Sequence, residues 1–208
     1  MRILLIEDDA DQLEPIQTAL SEAGHIVDGV EDGAIAQWIL SKREYDSMTR
    51  DLCLFVLGMN TAFRANELLS LKVGQVRSLL PGDVLSVKQS KTGKFRQVTV
   101  NNTVVEAIAL HLAANRLMDD EPLFMGKRVC LTVPTVSTMV KTWCENAGLK
   151  GSYGSHTLRK TWGYWQRMER GTAVPLLMEA FGHATQQQTL AYLGIQAAEI
   201  AQIYEMEL

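Results

Sequence analysis

The sequence offers little sulfur chemistry. Its three cysteines, Cys53, Cys130 and Cys144, contain no CxxC pair and cannot all pair with one another. A disulfide framework is therefore excluded, and buried free thiols in a reducing cytosol are expected. The same spacing gives no metal centre. No apolar run is long enough to cross a bilayer, and Met1-Arg2-Ile3 opens no secretory leader, so a cytoplasmic chain without a membrane partner is expected. Internal repeats and low-complexity runs are absent, which removes solenoids and arrays. An excess of positive charge is missing too: the formal net charge is −4.

What is present is an ordinary globular composition, 47% apolar and 21% charged over 208 residues. That length suits one domain and a fragment. The charge is divided unevenly. Residues 1–48 carry three basic residues (Arg2, Lys42, Arg43) against eleven acidic ones, a balance of −8. The remainder carries 17 basic and 13 acidic residues, a balance of +4. Two pieces of different character are joined, and only the second suits a polyanion.

Residues 2–7 read as a buried strand, with Asp8 and Asp9 at its end. Leu13, Ile16 and Leu20 recur at helical spacing over Gln12–Ala23, Gly24 stops that helix, and His25–Val30 reads as a second strand. This block, about 1–46, resembles the start of a response-regulator receiver domain, in which Glu7, Asp8 and Asp9 match a Mg²⁺-holding acidic cluster. The resemblance then breaks. Ser47-Met48-Thr49-Arg50 stands where a third apolar strand is required, and those residues cannot form a buried parallel strand. Asp51 falls near the phosphorylated position but is followed by the helical run Leu52–Met59. A βαβ remnant without phosphotransfer is expected, its acidic cluster a solvated strand end.

A short amphipathic helix at Ala34–Ser41 could belong to either piece, which puts the boundary between 33 and 50. Arg50–Gly58 reads as an apolar helix, Asn60–Phe63 as a turn, and Arg64 opens the next helix. Asp83–Gln89 and Phe95–Val100 alternate as a hairpin around Thr92-Gly93, with Lys91 near its tip on a mobile arm. Two helical stripes follow, Val105/Ile108/Ala109/Leu112 and Val136/Met139/Val140/Trp143. Ala197–Leu208 carries Ile200, Ile203 and Tyr204 on one face.

The chemistry concentrates in Ser155-His156-Thr157-Leu158-Arg159-Lys160 and its echo at Gly182-His183 and Tyr192. On a helix His156 and Arg159 project from one face, a rigid guanidinium fork beside one more N–H donor for an oxyanion. Two histidines, an arginine and a tyrosine so arranged suit a phosphate held by donors and attacked by a phenol. Alone, a His-x-x-Arg pair carries little, since most are surface or helix-capping residues. The weight comes from an ordered set: Arg64-x-x-Glu67, Lys91, His156-x-x-Arg159, His183 and Tyr192.

With Thr61-Ala62-Phe63-Arg64-Ala65-Asn66-Glu67, Ser90-Lys91-Thr92-Gly93-Lys94, His156-Thr157-Leu158-Arg159 and Gly182-His183, the stretch from about 50 to 194 resembles the tyrosine recombinases of the phage-integrase family. The resemblance implies a mainly α catalytic domain, about 47–208, with a small antiparallel β-sheet. It implies site-specific DNA cleavage and rejoining through a 3′-phosphotyrosyl link. Double-stranded DNA is the implied partner, with a homo-oligomer, a tetramer on DNA, and no cofactor. Tyr192 takes the nucleophile's place, nine residues past His183. Arg64 and Arg159 take the grip on the non-bridging oxygens. His156 and His183 add donors or move the tyrosine proton, Lys91 is the general acid toward the 5′-oxygen, and Glu67 orients Arg64. Lys88 and Lys94 read as solvated backbone-phosphate contacts beside Lys91. His25 and His111 take ordinary surface or core roles, and Trp143, Trp162 and Trp165 packing roles.

Two departures from the family follow. It usually has glycine where Ala62 stands, an exchange that would stiffen the turn before Arg64. Its helical DNA-grasping N-terminal domain has no counterpart here, so half a clamp and weak independent DNA binding are expected. The alternatives are a non-catalytic DNA-binding regulator on the same fold and a signalling fusion switched by the receiver part. Tyr192 argues against the former and the missing third strand against the latter.

Overall fold

The computed structural model describes residues 2–6, 26–30, 43–89, 93, 95–126, 129–194 and 204. In the N-terminal piece, β1 (Arg2–Ile6) and β2 (Ile26–Val30) pair in parallel, Arg2 opposite Ile26 and Ile6 opposite Val30. The expected helices at Gln12–Ala23 and Ala34–Ser41, and the acidic Glu7-Asp8-Asp9, lie outside the described residues. A two-stranded pair is all that the structure shows of the receiver resemblance.

Helix α1 (Arg43–Thr61) is longer than the expected Arg50–Gly58 and runs straight through Ser47–Arg50. Its inner flank buries Cys53, Leu54 and Leu57 completely, and Thr61 Oγ1 closes the last turn by donating to the Leu57 carbonyl at 2.7 Å. It packs against α3 (Asn102–Ala114) and α5 (Thr157–Met168). Gly58 permits the second crossing: a Cβ there would stand 2.6 Å from Leu158 Cδ1.

The expected stripe on α3 is rotated. Val104, Ala107, Ile108 and His111 are buried, whereas Ala109 is exposed. His111 is tolerated inside because both ring nitrogens are satisfied, Nε2 by the Leu123 carbonyl at 2.9 Å and Nδ1 by Asn115 at 3.0 Å. Burial pulls its pKa below the ordinary histidine value. Helix α4 (Val133–Asn146), capped by Thr132 with Pro134 in its first turn, keeps its expected stripe, Val136 and Val140 buried.

The hairpin is β3 (Val84–Lys88) against β4 (Phe95–Thr99), antiparallel, Val84 opposite Thr99 and Lys88 opposite Phe95. Leu85 and Val87 face the main core. That core joins α1, α3, α4, the hairpin and Phe124. A second, smaller cluster holds Ala62, Leu177, Phe181 and Leu193, with Trp162 and Tyr192 against it.

Two packing expectations are corrected. Cys53 is buried, but Cys130 is exposed and Cys144 half-buried, because the latter two stand on a loop edge and a helix flank; all three are free thiols. Trp165 is 52% exposed on the outer side of α5, edge-on to Tyr164. No helix among the described residues is long and apolar enough to cross a membrane.

Candidate active site

Four helices set the stage. Arg64 precedes α2 (Ala65–Leu69) as its N-cap, with extended backbone at φ −72°, ψ 156°. Glu67 in the first turn accepts the Arg64 backbone N–H at 2.6 Å through Oε2 and its Nη1 at 3.2 Å through Oε1. One carboxylate thus caps the helix and orients the guanidinium. Ala62, two residues earlier, adopts φ +52°, the left-handed turn for which glycine is the usual choice. That turn presents the Ala62 carbonyl to Arg159.

His156 is the N-cap of α5, which places Arg159 in its first turn. Helix α6 (Val174–Phe181) has Pro175 in its first turn and is capped by Gly182, whose φ of +61° reverses the chain. His183 N–H then bonds back to the Met178 carbonyl at 3.0 Å. Thr185 caps α7 (Gln186–Leu193), accepting from the Gln188 N–H at 3.1 Å, and Tyr192 lies in its last turn.

These elements bring Arg64, Glu67, His156, Arg159, His183 and Tyr192 together. His156 Nδ1 lies 3.3 Å from Tyr192 Oη, a long hydrogen bond between two side chains. The His183 ring stands edge-on to the Tyr192 ring at 5.2 Å, stacks on Phe181 at 5.0 Å, and is anchored through Nδ1 to Thr189 Oγ1 at 3.0 Å. The Arg159 guanidinium carbon is 5.9 Å and Lys160 Nζ 5.4 Å from the Tyr192 ring centroid. Arg159 is only 2% exposed and donates to the carbonyls of Ala62 and Phe181. The Phe181 carbonyl also takes Arg64 Nη2 at 3.5 Å. Lys91, with Ser90, Thr92 and Lys94, lies outside the described residues. Its hairpin stem still reaches the site, since Gln89 Nε2 donates to Glu67 Oε1 at 3.2 Å.

One cation was not legible from motif spacing. Arg96 on β4 pairs with Glu67 Oε2 at 3.4 Å, in a strand position turned inward and 9% exposed. The signal available was periodic: Arg96, Val98 and Val100 alternate with Phe95, Gln97 and Thr99, so a charge occupies the core-facing set.

The electrostatics follow from several cations gathered around one carboxylate. Burial, then the charges of Arg96 and Arg64, brings the Arg159 pKa down to about 9. Burial, then Arg159, Arg64 and Arg96, lowers His183 to about 4. His156 is lowered by burial and by Arg159, Lys160 and Arg64. For Tyr192 burial outweighs the arginines, and its pKa rises above 10. The free protein therefore holds neutral histidines beside a protonated phenol, among guanidinium charges that an incoming anion would offset.

The model of the phage integrase family matches residues 36–199. The chain belongs to the phage integrase family. It is a tyrosine recombinase catalytic domain in its match, mainly helical with the small antiparallel sheet that the fold carries. It is similar to the probable integrase/recombinase YoeC of Bacillus subtilis (strain 168), 28% identical over 163 residues, 77% of this chain and 83% of that protein. It is also 28% identical to tyrosine recombinase XerA of Pyrococcus furiosus over 161 residues, 75% of this chain and 54% of that one. In structure it resembles the XerH site-specific recombinase bound to its difH substrate before cleavage, with a TM-score of 0.58 and 22% identity over 94% of this chain and 52% of that one. The chain spans about half the length of these Xer recombinases. The family match leaves residues 1–35 outside it, and the receiver resemblance there finds no support.

Proposed function

We propose that this chain is the catalytic unit of a site-specific recombinase that cleaves and rejoins DNA strands through a 3′-phosphotyrosyl intermediate. The observation that carries the reading is Tyr192 Oη held 3.3 Å from His156 Nδ1 among Arg64, Arg159 and Arg96. Tyr192 Oη attacks phosphorus, the new O–P bond forms, and the bond to the 5′-oxygen breaks. The phenol proton passes to neutral His156, whose lowered pKa leaves it free to accept one at neutral pH. Lys91 supplies the proton taken by the departing 5′-oxygen. Arg64 and Arg159, with His183, draw charge from the non-bridging oxygens as the phosphorus becomes pentavalent. No water is consumed, and attack by a 5′-hydroxyl reverses each step.

Duplex DNA is the substrate in this reading, bound by the +4 balance of the portion beyond residue 48, with several copies assembling on it. The test is a nicked suicide duplex incubated with the full chain. Wild type accumulates a covalent adduct that mass spectrometry places on Tyr192, and Tyr192→Phe forms none while still retarding the duplex. An adduct on another tyrosine would sink the assignment. A wild-type protein that binds duplex without any adduct would be a DNA-binding regulator instead.

A further inference from the structure

Arg96 touches three elements at once. From β4 its Nη1 reaches Glu67 Oε2 in α2 at 3.4 Å, and its Nη2 donates to the Ala180 carbonyl in the last turn of α6. Its guanidinium carbon also lies 5.6 Å from the centroid of the buried Phe63 ring, in the turn before Arg64. Glu67, 3% exposed, shares its two oxygens among Arg64, Gln89 and Arg96. The last carbonyls of α6, the negative end of its dipole, are divided likewise. Ala180 takes Arg96, and Phe181 takes Arg64 and Arg159.

We infer that Arg96 is a positioning residue for strand cleavage, fastening the hairpin stem to the Arg64–Glu67 helix start and to the end of α6. The inference rests on the recombinase reading. Buried as it is, Arg96 acts through Glu67, which in turn orients Arg64. Removing it leaves a buried carboxylate short of a donor and frees an α6 carbonyl. Lysine cannot replace it, because one ammonium cannot span two acceptors on different helices as the planar fork does.

The experiment measures single-turnover cleavage of the nicked duplex, and duplex affinity separately, for Arg96→Met, Arg96→Lys, Glu67→Gln and the double variant Arg96→Met/Glu67→Gln. Both Arg96 variants should cleave about 10–100-fold more slowly, the usual effect of removing such a supporting partner, with duplex affinity unchanged. The double variant should be no slower than the slower single variant, because the two residues act as one unit. Wild-type rates in either Arg96 variant, additive losses in the double variant, or a parallel loss of affinity would overturn the inference. Circular dichroism checks the fold, and Arg96→Lys serves where Arg96→Met does not fold. A wild-type protein that makes no adduct defeats the recombinase reading alone. The positioning claim is then decided by ¹⁵N-arginine spectra: the Arg64 Nε–H signal should shift in Arg96→Lys, and an unmoved signal would overturn the claim.

Discussion

At the scale of the residue, the site is a set of charges held apart from solvent by what lies behind them. Arg159 is the extreme case, with carbonyls behind its fork and a tyrosine ring beside it. The histidines record the same field. His183, with a folded pKa of about 4 against an unfolded value near 6.5, stays neutral in the native chain while the unfolded chain takes up a proton. The unfolded state thus binds more protons between those values, so this contribution to stability is present above pH 6.5 and is lost as pH falls toward 4. His156 and His111 act in the same direction. Thermal midpoints measured from pH 7 to pH 4 should fall, and fall less steeply in His183→Gln. Identical slopes in the two proteins would refute the assignment.

At the scale of the element, close approach decides. Gly163 in α5 faces Phe181 and Leu193, and a Cβ there would stand 2.8 Å from Leu193 Cδ2 and nearer still to Phe181 Cζ. Alanine normally strengthens a helix interior by about 0.5–1 kcal/mol over glycine. Here overpacking, about 1–3 kcal/mol, is the larger effect, because Phe181 is fully buried. Gly163→Ala should therefore lower the thermal midpoint by a few degrees, at about 2–4 °C per kcal/mol, and slow cleavage by displacing the Phe181 carbonyl. A raised midpoint in calorimetry would show that the three helices can give way.

Elements also show what a sequence exposes and what it hides. Arg64-x-x-Glu67 and His156-x-x-Arg159 were legible because each pair lies within one helical turn, where spacing fixes the shared face. The hairpin was legible from alternation around Thr92-Gly93. Arg96 was hidden because its partners are 29 and 84 residues away and only the fold joins them. The turn at Asn60–Phe63 was legible, but its left-handed φ at Ala62 was not, because alanine does not announce a positive φ. The rotation of α3 was missed because a buried histidine counts as polar in any apolar pattern, although Leu123 and Asn115 satisfy it.

At the scale of the molecule, the charge division bears on the proposed DNA binding. The acidic excess of residues 1–48, −8, is covalently tied to the part proposed to hold DNA. Like charge beside a polyanion lowers affinity and association rate. Deleting residues 1–32 should tighten non-specific duplex binding at low salt, with the gain fading as salt screens it. Equal affinities for both chains in low-salt titrations would contradict this. A different consequence follows from the two separate apolar clusters. Among the described residues, Leu54, Leu57 and their neighbours form a large core, whereas Tyr192 rests on a cluster of four buried residues. The smaller described cluster predicts that α7 resists opening less than α1. The helix bearing Tyr192 should therefore open and reclose while α1 stays folded, its amide protons exchanging with solvent before those of α1.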